Sequence, residues 1–168
     1  MREPNSPIEI EIFDGVFVDA GIARYIKIIN RLGYPTKMSC SGMESDGHLT
    51  KNGNRPHISF ERPIKPSINV SDYFKVLSSC FIKLNEIEEY MYPNNPEKKI
   101  FWYLSFQPKN TISPVDLRSL TTYLPLGLKD KQIRDKFDEL VQLLKKIDYF
   151  SKLSKKTVEN GEEIIIAL

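Results

Sequence analysis

The stretch VDAGIARYIKIINRLGYPTKMSCSG, residues 18–42, passes from a helical to an extended pattern and so indicates the fold class. Its apolar residues recur at steps of three and four, the spacing of one face of an amphipathic helix. Asp19 is placed to cap that helix, Gly33 is a typical helix end, and Pro35 prevents its continuation. A short strand over Tyr34–Ser39 is therefore predicted after the helix, whose apolar stripe consists of Val18, Ile22, Ile26, Ile29 and Leu32.

Patterns on both sides of this stretch predict the remaining elements. Isoleucines alternate with glutamates over Ile8–Phe13, which predicts a half-buried strand ended by Asp14-Gly15. Ile100–Phe106 carries aromatic residues on both faces and is predicted to be a central strand of a covered sheet, although an exposed face of it could stack bases. Val115–Tyr123 is ambiguous, with a short helix as one interpretation. The other predicted elements are a strand at His57–Phe60, helices over 72–90 and 129–150, and a closing strand at Glu163–Leu168.

The element order, roughly β-α-β-β-α-β-α-β, predicts one α+β domain spanning residues 1–168, with a mixed sheet and about three helices. A chain of 168 residues can bury a hydrophobic core without help from disulfide bonds or bound metals. No apolar run reaches the length of a membrane helix, and no secretory leader is visible, so no membrane partner is expected. The two cysteines are then expected to be reduced, and the cytoplasm is the expected location.

Basic residues concentrate in one part of the chain. Residues 24–65 contain eight basic and three acidic residues, a local charge of +5, whereas the whole chain carries +2. An excess of this kind is typical of a site for an anionic ligand, and it is equally typical of a solvated surface. It surrounds the turn at Ser39–Gly42, whose consecutive N–H groups could form an anion-binding nest.

Three side chains near this turn could carry chemistry. A nucleophilic Cys40 needs a base, for which His48 and His57 are the candidates, but a cysteine before a glycine is more often part of a tight turn. Cys40, His48 and His57 also suit zinc as ligand types, although their spacing differs from the usual pairs. Cys80 would be a remote fourth ligand, and its place in a predicted helix favours a buried thiol. Phosphate-binding loops and the common hydrolase motifs are absent from the sequence.

The helix ending in Ile29-Asn30 and the SCSG turn that follows carry a resemblance. Together they look like the N-terminal part of the wybutosine-synthesis methyltransferase family, which modifies a tRNA guanosine derivative with S-adenosylmethionine. They also resemble small phage and prokaryotic proteins with an SCSGH or SCEGH loop. Where those families place a basic residue after the glycine, this chain has Met43. The matching residues are Thr36, Ser39, Cys40, Ser41 and Gly42.

The resemblance implies an α+β fold with a ligand site at the SCSG turn. The resulting hypothesis is a nucleotide- or RNA-binding domain, with S-adenosylmethionine as the cofactor that the resemblance alone implies. Two alternatives stay open, a non-catalytic protein-interaction or homo-oligomeric assembly protein and a zinc-binding protein, and whether the chain is an enzyme is left open. The predicted ligand-binding residues are Thr36, Ser39, Cys40, Ser41, Gly42, Arg55 and His57, with help from Lys37.

Overall fold

The computed structural model describes residues 8–48, 55–63, 68–110 and 113–147. Three short 3-10 helices, at Ala20–Ile22, Glu44–Asp46 and Pro96–Lys98, join the main elements in this part of the chain. The strands and helices follow one another as β1 (Glu9–Phe13), β2 (Val16–Asp19), α1 (Ala23–Arg31), β3 (Thr36–Cys40), β4 (His57–Glu61), α2 (Val70–Met91), β5 (Tyr103–Asn110), β6 (Ser113–Tyr123) and α3 (Asp130–Ile147).

The strands form two antiparallel sheets. β1 and β2 make a two-stranded hairpin, and the other four strands form a sheet in the order β3-β4-β6-β5. The predicted α+β class with three helices is confirmed. Where the sequence predicted one mixed sheet, all described pairs are antiparallel, since β6 runs antiparallel both to β5 and to β4, and β3 runs antiparallel to β4.

Two segments of the sheet differ from their predictions. The ambiguous segment Val115–Tyr123 lies within β6 and is extended. The prediction that the aromatic segment is a central strand is wrong, because β5 begins only at Tyr103 and lies at the sheet edge. Before that point α2 side chains bind the backbone: Asn85 bonds both N–H and C=O of Trp102, each at 2.9 Å. These groups are therefore not available to a neighbouring strand.

The core lies between the four-stranded sheet and the helices. Ile58 and Phe60 of β4 and Leu120 of β6 are fully buried on one face of the sheet. Trp102 packs edge-on against Phe81 of α2 and Phe137 of α3, with ring centroids 5.2 and 5.6 Å apart. Aromatic side chains therefore hold α2 and α3 together. In the described part of the chain, no helix covers the other face of the sheet.

Helix ends agree with the sequence to within a few residues. α2 is capped by Asn69, whose side chain accepts a hydrogen bond from the Asp72 N–H. Gly33 follows α1 with φ +97°, the left-handed conformation expected of a helix stop. The closing strand at Glu163–Leu168 lies outside the described residues. Within the described ranges, no helix combines the length and apolarity needed to cross a bilayer.

Candidate functional site

The turn after β3 brings His48 back to Cys40. Gly42 (φ +60°) and Gly47 (φ +94°) adopt left-handed conformations on either side of the Glu44–Asp46 3-10 helix. The His48 N–H then donates to the Met43 carbonyl at 3.2 Å, which closes the loop. As a result His48 Nε2 lies 3.7 Å from Cys40 Sγ.

Asp19 completes this group from the end of β2. The sequence predicts it as a helix cap, and it does precede the 3-10 helix, but its side chain makes no capping hydrogen bond. Its Oδ2 atom instead accepts from the Ser41 N–H at 2.7 Å and lies 2.8 Å from His48 Nε2. Asp19, Cys40 and His48 thus place one carboxylate oxygen, one sulphur and one ring nitrogen within 4.8 Å of one another. We call these three residues the DCH cluster.

The DCH cluster does not have the geometry of a nucleophilic triad. In such a triad the carboxylate holds one ring nitrogen and the nucleophile meets the other. Here the Asp19 oxygen and the Cys40 sulphur both approach Nε2 of His48. Burial is the main cause that raises the pKa of Cys40 to about 11. The nearby Asp19 carboxylate raises this pKa further, whereas a hydrogen bond from the Gly42 backbone lowers it. Without a cation the thiol is therefore protonated at neutral pH, which disfavours nucleophilic attack.

The amide groups of the SCSG turn bind an acceptor within the protein. The Ser41 N–H donates to Asp19, and the Ser41 hydroxyl accepts from the Met43 N–H at 3.1 Å. Ser41 and Met43 are both fully buried. The anion that the sequence predicts at this N–H is therefore supplied, in the folded chain, by the Asp19 carboxylate.

Met43, which follows the SCSG turn, is a packing residue. It lies against Gly21, where an added Cβ would come within 2.3 Å of the Met43 sulphur and 2.6 Å of an Asp46 oxygen. Asp46 is buried as well, and both of its carboxylate oxygens accept from the Gly21 N–H, at 3.1 and 2.9 Å. The glycine thus allows the two segments that carry Asp19 and His48 to approach each other.

Two predicted ligand-binding residues lie away from the DCH cluster. Thr36, at the far end of β3, bonds Asn30 through both its N–H (3.1 Å) and its hydroxyl (3.0 Å), which ties β3 to the end of α1. Ser39 stands opposite Ile58 in the β3–β4 register, on the side of the sheet that the helices cover. The matching residues of the motif therefore do not all converge on one site.

The opposite side of the sheet carries a row of four residues. Cys40, His57, Tyr123 and Tyr103 stand directly opposite one another across β3, β4, β6 and β5. Residues in such positions share a face of the sheet, here the face away from Ile58 and the helices. The rings of His57 and Tyr123 have centroids 5.6 Å apart, and Tyr103 is 52% exposed. The row therefore ends in an accessible aromatic side chain.

Arg55 lies over this row. Its guanidinium carbon is 5.3 Å from the Tyr103 ring centroid and 5.1 Å from that of Tyr123, and its Nε–H donates to the Leu124 carbonyl at 3.0 Å. The His57 Nδ1–H donates to the Arg55 carbonyl at 3.0 Å, which fixes the tautomer of the neutral ring. We call Arg55, His57, Tyr103 and Tyr123 the aromatic face.

The structure thus separates the two predicted histidines. His48 belongs to the DCH cluster, and His57 belongs to the aromatic face, so the predicted zinc set shares Cys40 and His48 with the cluster but not His57. Asp19 was missed as a ligand because its place before a helix already explained it. Tyr123 was missed because its segment had no clear periodicity.

Other basic residues of the positive segment lie elsewhere. Arg24 and Lys27 of α1 line an open cleft of about 560 Å³ together with Arg134 of α3 and Glu11 of β1. Three of the eight basic residues of the segment are therefore divided between this cleft (Arg24 and Lys27) and the aromatic face (Arg55).

The DCH cluster and the aromatic face meet where Cys40 pairs with His57 at one end of the sheet. The resemblance noted in the sequence supplies an expectation for this region but no geometry. Comparison with known proteins found no matching family model, no matching curated protein and no matching solved structure.

Proposed function

We propose that the chain binds single-stranded RNA, with at least one base stacked on the aromatic face. The observation that carries this proposal is the placement of one guanidinium over two tyrosine rings of adjacent strands, beside an imidazole ring. Proteins recognise unpaired bases by stacking them on aromatic rings and on guanidinium planes, and they neutralise the phosphates with basic side chains. Arg55 can serve both purposes.

The dimensions of the aromatic face suit a short stretch of RNA. Neighbouring strands lie about 4.8 Å apart, so His57 and Tyr103, two strands from each other, are separated by about 10 Å. That span accommodates one or two splayed bases. The resemblance to a tRNA-modifying family supports an RNA ligand over a free nucleotide, and it alone supports a role for S-adenosylmethionine.

In this proposal the RNA lies beside the SCSG turn instead of inside it. Ser41 is fully buried and its N–H is bonded to Asp19, whereas Tyr103 and Met38 on the neighbouring face are 52% and 59% exposed. Of the ligand residues predicted from the sequence, His57 and Cys40 belong to the row that a bound strand would cross, and Arg55 lies over that row.

Fluorescence anisotropy with labelled oligonucleotides tests this proposal. Removing one stacking ring costs about 1–3 kcal/mol, so Tyr103→Ala should weaken binding by about 5- to 150-fold. Arg55→Ala should weaken it and also reduce its salt dependence. Tyr90→Ala is the matched control, because Tyr90 is 86% exposed on α2 and should leave the affinity unchanged.

Two results would contradict the proposal. One is a wild-type protein that binds neither uridine- nor adenosine-rich oligomers at about 50 µM. The other is an equal loss of affinity in the Tyr90→Ala and Tyr103→Ala variants. Competition with mononucleotides and with S-adenosylmethionine then identifies the smallest part of the ligand that the face recognises.

A second candidate function, homo-oligomeric assembly, is favoured by the β1–β2 hairpin. Ile12 and Val18 of this hairpin pack against the core, but its two strands also expose large apolar side chains. Light scattering should then show a dimer that Phe17→Ser dissociates, whereas Ile82→Ser, at a similarly exposed position on α2, does not. A monomer at about 100 µM would refute this candidate. The exposed apolar residues of the hairpin region are Ile8, Ile10, Phe13, Val16 and Phe17.

A further inference from the structure

We propose that Asp19, Cys40 and His48 bind one zinc ion, and this proposal does not rest on the proposed RNA binding. The three side chains come from the end of β2, the end of β3 and the loop beyond it, and the fold brings their donor atoms within 4.8 Å of one another. Asp19 and His48 are 6% and 7% exposed, and Cys40 is half-buried. A buried oxygen, nitrogen and sulphur that converge on one point form a typical three-residue zinc site.

The distances between donor atoms are close to those of a tetrahedral zinc centre. With Zn–S near 2.3 Å and Zn–N and Zn–O near 2.1 Å, tetrahedral angles separate N from S by about 3.6 Å and N from O by about 3.4 Å. In the structure Cys40 Sγ lies 3.7 Å from His48 Nε2, which in turn lies 2.8 Å from Asp19 Oδ2. Of these two pairs, the second must widen by about half an ångström when a metal replaces the proton that it shares, and the Cys40 sulphur lies within 4.8 Å of the Asp19 oxygen.

The electrostatics of the cluster also favour a cation. Asp46, which is 3% exposed, adds a second buried carboxylate whose charge acts on Cys40. Among the described residues, no lysine or arginine forms an ion pair with Asp19 or Asp46. Asp19 has His48 and the Ser41 N–H beside it, and Asp46 has the Gly21 N–H, so a divalent ion would add a compact positive charge next to two buried carboxylates.

The donor types select zinc over the hard cations. A thiolate and an imidazole are good ligands for zinc, whereas magnesium and calcium prefer sites made of oxygen atoms. Three protein ligands leave a fourth position for water or for a group of a bound ligand. Because Cys40 pairs with His57, that position would lie next to the aromatic face.

Zinc titration of the full chain, purified without a histidine tag and stripped with chelator, tests the site. We expect one zinc ion per chain by elemental analysis and calorimetry. Loss of an outer-shell partner alone lowers metal affinity by about 10–100-fold, so His48→Gln should lower it by at least about 100-fold. His57→Gln is the matched control and should bind zinc like the wild type.

Cobalt substitution identifies the ligand atoms directly. The wild-type protein should show a thiolate-to-cobalt charge-transfer band that Cys40→Ser abolishes and Cys80→Ala retains. Far-ultraviolet circular dichroism confirms that each variant is folded, and if Cys40→Ser does not fold, the two histidine variants still decide the question. Failure of the wild type to bind zinc at micromolar concentration overturns the proposal, as does equal binding by His48→Gln or an equal loss in His57→Gln. RNA binding is measured separately, so each proposal can fail alone.

Discussion

A buried ion pair between α2 and α3 gives the sharpest stability prediction. Glu88 Oε1 accepts from the Ile100 N–H at 2.9 Å, and Oε2 accepts from the Lys136 ammonium. The side chains of Glu88 and Lys136 are 4% and 8% exposed. Lys136 also pairs at 3.1 Å with Glu139, and the Glu139 side chain is 44% exposed. Glu88 therefore connects α2 both to α3 and to the segment that leads into β5.

The cost of Glu88→Gln follows from these contacts. Leaving one partner of a buried pair uncompensated costs about 3–5 kcal/mol. The glutamine carbonyl still accepts from Ile100, and Glu139 still neutralises part of the Lys136 charge, so we expect about 2–3 kcal/mol. Glu88→Ala also leaves the Ile100 N–H without its acceptor, which adds about 1–3 kcal/mol.

Urea unfolding measures both variants through the single tryptophan. Trp102 is 3% exposed, and Asn85 of α2 bonds its backbone, so its fluorescence reports separation of α2 from β5. Glu89→Gln is the control. The Glu89 carboxylate pairs with Lys99 but is 56% exposed, so this substitution should lower the free energy of unfolding by less than about 1 kcal/mol. A free energy of unfolding for Glu88→Gln within about 0.5 kcal/mol of the wild-type value would refute the reasoning. Strict additivity in the double variant Glu88→Gln/Lys136→Met would refute it as well, since contacting groups couple.

Three further predictions concern the loop and the thiols. Gly21→Ala should destabilise the protein by about 1–3 kcal/mol in thermal unfolding, because its Cβ would collide with Met43 and Asp46. Gly42→Ala should cost about 1–2 kcal/mol, because residue 42 has φ +60°, whereas Ser45→Ala in the same loop serves as a control of small effect. Burial raises the pKa of Cys80 from 9.0 to about 12, although Lys83 lowers it, so its contribution to stability is complete below pH 9 and is lost between pH 9 and 12. The wild-type stability should then fall more steeply above pH 9 than that of Cys80→Ala, by up to about 1.4 kcal/mol per pH unit, and parallel curves would contradict this.

The sequence predicted the elements whose apolar pattern is local. The stripes of α1, α2 and α3 and the alternation of β1 lie within single segments, so the pattern alone indicates them. Sheet position could not be predicted in the same way. The aromatic residues around Trp102 resemble a central strand, but Trp102 is buried against α2 and α3 before the strand begins, and Tyr103 lies at an exposed edge. Such a division depends on the Asn85 side chain, 17 residues away, which no local pattern contains.

Only part of the candidate site could be predicted from the sequence, for the same reason. Cys40 and His48 are close in sequence, and the glycines between them mark a turn that can bring them together. Asp19 lies 29 residues from His48, and its position before a helix gives it a sufficient local explanation. The aromatic face depends entirely on register, because shifting β6 by one residue would turn Tyr123 to the helix side of the sheet.

The same register makes a test of coupling between the two proposed sites possible. Cys40 and His57 are paired residues, so a zinc ion on Cys40 would lie within about 5–10 Å of a base stacked beside His57. An ion with an open fourth position at that distance attracts phosphate or base oxygens. Binding linkage is reciprocal, so zinc and RNA must each raise the affinity for the other by the same factor. We therefore expect RNA affinity to fall when zinc is removed, and to be insensitive to chelator in His48→Gln. If the chelator has no effect on the wild type either, the two sites are independent, and the ion stabilises the loop that follows β3 without contacting the ligand.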